Sequence, residues 1–96
     1  MKHALFSLTL AATLALAGSV QAANCFADYK AKQDKPLRLH YGVAQIKGAC
    51  DAGSAHAELA PRLASRGWTL LNVVSVFGPE GLAQRKDSAG PNYLRF

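Results

Sequence analysis

Gly67-Trp68-Thr69-Leu70-Leu71-Asn72-Val73-Val74-Ser75-Val76-Phe77 is the stretch that decides the fold. Its body, Trp68 to Phe77, is rich in Leu and Val and predicts a β-strand. Leu70, Val74 and Val76 fall on one face, and Leu71, Val73 and Phe77 on the other. Both faces are apolar, which predicts a strand at the centre of a covered sheet. Gly67 reads as the left-handed stop of a preceding helix, and Trp68 as the apolar contact that such an ending directs back onto the last turn.

Upstream, Asp51 to Ser54 supplies capping residues, and Ala55, Leu59 and Leu63 recur every four positions with Ala52, Ala60 and Ala64 alongside. That spacing predicts a helix with one apolar stripe. Pro61 falls inside it and predicts a kink or an irregular first turn, because proline lacks the N–H that the helix needs. Arg62 and Arg66 suit the negative C-terminal end of the helix dipole. Further upstream, Leu37 to Ile46 alternates, with Leu37, Leu39, Tyr41 and Val43 on one face and Arg38, His40 and Gly42 on a more polar one, and predicts a first strand. Asp34-Lys35-Pro36 marks a chain reversal before it. Ala27 to Gln33, preceded by Asn24 as a cap, reads as helix by propensity.

Downstream, Gly78-Pro79-Glu80-Gly81 predicts a turn, Leu82 to Lys86 a third strand, Asp87 to Pro91 a second turn, and Tyr93 to Phe96 a closing strand. The expected fold is α+β: a small three- to four-stranded sheet with one main helix packed on one face, plus a short N-terminal helical segment. Residues 23–36 form the N-terminal segment, tied to a β-α-β-β-(β) domain over residues 37–96.

Tyr41-Gly42-Val43, then Leu59 and Leu63, then Gly67-Trp68-Thr69-Leu70-Leu71-Asn72-Val73, and finally Tyr93 to Phe96 carry a resemblance to a family. The chain resembles a widespread group of small bacterial domains of unknown function, with a β-α-β-β order and a Gly-Trp-x-Leu-Val helix-to-strand motif. The resemblance runs from about Leu37 to Phe96. It implies a fold and no site residues, since that family has no general assigned activity.

The first residues set the compartment. Met1-Lys2-His3 is a short basic start, Ala4 to Ala17 an apolar run, and Gly18 to Ala22 an exit of small residues. The order is that of a secretory signal peptide over residues 1–22, and the run falls short of the roughly 20 apolar residues of a membrane span. Val20 and Ala22 place cleavage between Ala22 and Ala23. The expected location is periplasmic or secreted, without lipid attachment, because Asn24 precedes Cys25 where a lipobox needs Gly or Ala. What remains is near the lower limit of size for a self-sufficient apolar core, so a covalent staple is expected. An oxidising compartment predicts that Cys25 and Cys50 supply it as a disulfide.

Eleven Lys and Arg against six acids make the chain mildly basic. Lys30, Lys32, Lys35 and Arg38 gather near the mature N-terminus, where weak contact with anionic envelope surfaces is expected. Export argues against nucleic acid as a partner. His40, His56, Cys25 and Cys50 form a chemically suitable set for zinc or copper(I), which raises a periplasmic metal-handling protein as the alternative. Their spacing matches no ligand pattern, and a disulfide withdraws both thiolates, so neither metal nor cofactor is assigned. For acid–base chemistry, His56 and Glu58 lie two apart on the helix and point in different directions, and no nucleophile stands with a base. No catalytic residue is assigned. The expected function is a small exported binding or interaction module. The sheet face that a single helix leaves bare would be covered from within by the N-terminal segment, with Phe26 and Tyr29, or from outside by a protein partner or a second copy of the chain.

Overall fold

A computed structural model describes residues 24–96. The signal-peptide reading of residues 1–22 and the cut between Ala22 and Ala23 lie outside the described residues. The architecture is α+β: strands β1 (Cys25–Gln33) and β2 (Arg38–Ile46), helix α1 (Ala52–Ala64), strand β3 (Thr69–Phe77), then a series of short helical turns that includes α2 (Lys86–Ala89). The sheet is antiparallel and has three strands in the order β2-β1-β3.

The N-terminal helix expected over Ala27 to Gln33 is instead the central strand of the sheet. Tertiary packing overrides propensity here. Cys25, Ala27, Tyr29 and Ala31 alternate onto the face beneath α1, all buried, and the two alanines are short enough to let the helix close on the backbone. The reversal expected at Asp34-Lys35-Pro36 is present and joins β1 to β2, with register running from Cys25 opposite Ile46 to Gln33 opposite Arg38. Two strands of nine residues give arms of equal length, which brings Cys25 close to Cys50 just beyond the end of β2.

Helix α1 follows its expected pattern. The Asp51 carboxylate accepts from the Ser54 N–H at 2.8 Å, and Ala55, Leu59 and Leu63 are its buried stripe. Pro61 is accommodated within the helix on its exposed side, where water can reach the carbonyl that loses its partner. Gly67 takes φ 81°, its N–H reaches the Ala64 carbonyl at 3.0 Å, and the Trp68 N–H reaches the Leu63 carbonyl at 3.0 Å. These are the paired bonds of a Schellman ending.

Strand β3 lies at an edge of the sheet rather than in its centre. Its pairing with β1 skips Val74, between Ser75 and Val73, and Leu71, between Asn72 and Leu70. Each skipped residue is a β-bulge that resets the alternation, so Leu70, Val73 and Val76 all pack toward the core while Leu71 and Val74 stay exposed. The two apolar faces seen in the sequence thus both contribute to one core face, while Phe77 turns to the other side of the sheet and packs on Phe26 at 6.3 Å.

The strand expected over Leu82 to Lys86 is replaced by a 3₁₀ turn at Ala83–Arg85 and the start of α2, and the Asp87 to Pro91 turn by α2 and a 3₁₀ turn at Gly90–Asn92. The closing strand contracts to one parallel bridge between Tyr93 and Val43, with the Leu94 N–H on the Val43 carbonyl at 2.7 Å. This C-terminal segment covers part of the sheet face opposite α1, burying Val43 and Ala89.

Gly42 shows how tightly the α1 side is packed. It sits opposite Tyr29, and a Cβ at Gly42 would come within 2.6 Å of Tyr29 Cζ and 2.9 Å of Cε1. Tyr29 has no exposed surface and cannot swing away. Gly42→Ala is therefore expected to destabilise the fold by about 2–3 kcal/mol through overpacking, measured as a lower urea midpoint at unchanged slope. A midpoint equal to that of the parent would show that the ring has room.

Candidate functional site

Cys25 and Cys50 form a disulfide with Cα atoms 5.7 Å apart. Both thiolates of the soft-metal set are thereby consumed, and among the described residues no group of three or more His, Cys, Asp or Glu is placed to hold a metal ion. His56 stands exposed on α1.

His40 lies on the α1 side of β2, against the expectation of a polar face. Its Nε2 is 3.1 Å from the Tyr29 hydroxyl, and its ring packs edge-on to Trp68 at 4.2 Å and stacks on Phe96 at 5.7 Å. Burial, reinforced by the Arg95 charge, lowers its pKa and favours the neutral imidazole. Gly42, Ala44 and Ile46 continue the same buried row, so the face that looked poorer in apolar residues is the one small enough to lie under the helix.

On the opposite face, Asp28 is buried at 4% exposure at the middle of β1. Its Oδ1 accepts from the Ser75 hydroxyl at 2.6 Å, and its Oδ2 from the Tyr41 hydroxyl at 2.7 Å and from Arg85 Nε at 3.1 Å. Arg85 is itself held by the Gly81 carbonyl at 2.7 Å and by stacking over the Phe77 ring at 4.0 Å. Burial works to raise the Asp28 pKa, yet the hydrogen bonds from Ser75, Tyr41 and Arg85 and the Arg85 charge outweigh it and hold the carboxyl below its ordinary value. Tyr41 is pushed up to about 12 by burial and by Asp28. Both carboxylate oxygens are occupied and no proton is mobile near neutral pH, so this cluster is a tether between the C-terminal segment and the sheet.

Beyond that tether the sheet face is bare. A shallow groove of about 270 Å³ runs across it, lined by Lys30, Ala31, Leu39, His40, Tyr41 and Leu71. Leu39 on β2 is 67% exposed and the bulged Leu71 on β3 is 47% exposed, with Lys30 of the central strand among the residues between them. The chain matches no known family model, characterised protein or solved structure. Function is accordingly read from this surface and its chemistry. Lys30 and Leu39 were legible in the sequence as a basic residue and a strand-face residue. Their convergence with Leu71 was not, because Leu71 reaches this face through a bulge that pairing with β1 creates.

Proposed function

We propose that the chain is an exported, non-catalytic interaction module that captures a protein partner on the uncovered half of its sheet. The observation that carries this reading is the exposure of Leu39 and Leu71 on the two edge strands, flanking a groove that contains Lys30. Full burial of a leucine side chain stabilises an interface by roughly 1.5–3 kcal/mol, enough for two anchors to matter. Lys30 has no ion-pair partner among the described residues and favours a partner that brings carboxylates beside its apolar contacts. A twofold homodimer on the same patch would bring like charges together, which disfavours it.

Export is supported by the basic start and apolar run of the first 22 residues, and by a disulfide that suits an oxidising compartment. Among the described residues, no helix is long and apolar enough to cross a membrane. Kinship with the small bacterial domains belongs to the same proposal and rests on Tyr41-Gly42-Val43 and the Gly67-Trp68 helix-to-strand junction. No observation favours the metal-handling alternative.

The test places a photo-cross-linking residue at Leu71 of the full chain in its native host, with and without Leu39→Glu or Lys30→Glu. One discrete adduct with a second protein, weakened about tenfold or more by each substitution, is expected, since each removes an anchor of over a kcal/mol. An adduct of twice the chain mass would replace the partner by a second copy, a lipid adduct would replace it by the envelope surface, and absence of any adduct would remove the proposal.

A further inference from the structure

A second feature lies around the ring cluster of His40, Trp68 and Phe96. Arg38 enters from the start of β2, Arg66 from the turn after α1, and Arg95 from the C-terminal segment. They line one cleft of about 350 Å³ together with Gln33, Trp68, Asn92 and Phe96. A neighbouring hollow shares Arg66, Arg95 and Phe96 and adds Arg62 and Ser65. Neither is lined by an acidic residue.

The ion pairs among the described residues join Lys32 to Asp34, Arg62 to Glu58 and Arg85 to Asp28. Arg38, Arg66 and Arg95 take part in none of them. Arg66 is positioned by its contact over the Phe96 ring, 5.4 Å from the centroid. The Arg95 charge reaches inward far enough to help keep His40 neutral. Three cations that converge here and take part in none of these ion pairs repel one another in the empty protein, and an anion that enters relieves that repulsion.

From this arrangement we infer that the Arg38–Arg66–Arg95 cleft is a binding site for a phosphate-type oxyanion carried by a small molecule or a headgroup. Arginine, in place of lysine, at all three positions supports the oxygens of a phosphate group taken two at a time by rigid guanidinium forks. The side-chain amides of Gln33 and Asn92 can donate to the remaining oxygens. Trp68 and Phe96 give the cleft an aromatic wall against which the body of an ester can lie. The arginines and the two aromatic side chains of the cleft are distinct from Lys30, Leu39 and Leu71 of the sheet groove, although His40 borders both.

The experiment uses the exported chain with its disulfide intact. Trp68 is the single tryptophan of the sequence and lines the cleft, so its fluorescence reports occupancy directly. Inorganic pyrophosphate is the probe, with citrate as an anion of comparable charge and different geometry. Saturable quenching or enhancement is expected, weakened about tenfold by Arg38→Gln and again by Arg95→Gln, as for loss of one charge-assisted hydrogen bond each. Both side chains are exposed, so both variants should fold. In the parent, binding should also raise the His40 titration midpoint followed by NMR, because the anion neutralises Arg95. Lys86→Gln, which removes an exposed charge outside both hollows, should leave pyrophosphate binding unchanged. Glycerol phosphate and vesicles of phosphatidylglycerol then distinguish a soluble ester from a lipid headgroup. Equal affinity for citrate, equal affinity in both arginine variants, or no saturation by about 10 mM pyrophosphate, which corresponds to less than 3 kcal/mol, would overturn the inference.

Discussion

Replacing both cysteines, Cys25→Ala with Cys50→Ala, is expected to lower the unfolding free energy by about 3 kcal/mol, within the roughly 2–5 kcal/mol range for small exported domains. The bond spans a sequence separation of 25 and encloses the entire β1–β2 hairpin, so it removes much of the freedom of the unfolded chain where the central strand must form. A domain of this size has a total stability of about 5 kcal/mol, so most of it would go. One native contact limits the loss. The Glu58 carboxylate of α1 accepts the N–H of Lys47 at 3.0 Å and of Gly48 at 3.0 Å, and pairs with Arg62 Nη1 at 2.9 Å, fastening the end of β2 to the helix without the cysteines. The measurement is urea unfolding of the oxidised parent against the double variant. A difference below about 1 kcal/mol would mean that the Glu58 clamp already holds the loop and that the bond is redundant.

How far the fold was legible depends on where each element found its partners. The ends and buried stripe of helix α1 were legible because their signals are local: Asp51 at one end, Ala55, Leu59 and Leu63 between, and Gly67 at the other. The presence of β3 was legible from Leu and Val, but its edge position was not, since two bulges arising from pairing with β1 change which residues face inward. Strand β1 carried a true alternation, Cys25, Ala27, Tyr29 and Ala31 against Phe26, Asp28, Lys30 and Lys32. It was obscured by Ala, Lys and Gln, which favour helix until a sheet forms on both sides. Of the surface features, the basic residues were visible and their grouping was not. Arg38, Arg66 and Arg95 come from three separate parts of the chain, as do Lys30, Leu39 and Leu71. The Asp28 tether was the least legible feature, for its donors lie 13, 47 and 57 residues away.

That tether gives the second large effect: Arg85→Ala is expected to cost about 3 kcal/mol at pH 7. Removing one member of a buried ion pair leaves the other charge uncompensated, which typically costs about 3–5 kcal/mol. The Arg85 side chain is 21% exposed, so water reaches part of the site and the lower end applies. The pH dependence separates the charge from the packing on Phe77. In the parent the folded Asp28 pKa lies below its unfolded value, so its contribution is present above about pH 4 and is lost as the pH falls through the folded pKa. Without Arg85, its hydrogen bond and its charge no longer offset burial, so the folded pKa moves back up toward the unfolded one and ionised Asp28 contributes less stability at pH 7, a loss that vanishes once acid protonates Asp28 in both proteins. The deficit should therefore narrow from pH 7 toward pH 3. His40, whose folded pKa is also lowered, weakens both proteins as the pH falls below about 6.5 and cancels in the comparison. Urea unfolding of parent and variant at pH 7, 5 and 3 decides the matter. A deficit that stays constant would show that Arg85 acts through its stacking on Phe77, 4.0 Å from the ring centroid, and not through the carboxylate it faces.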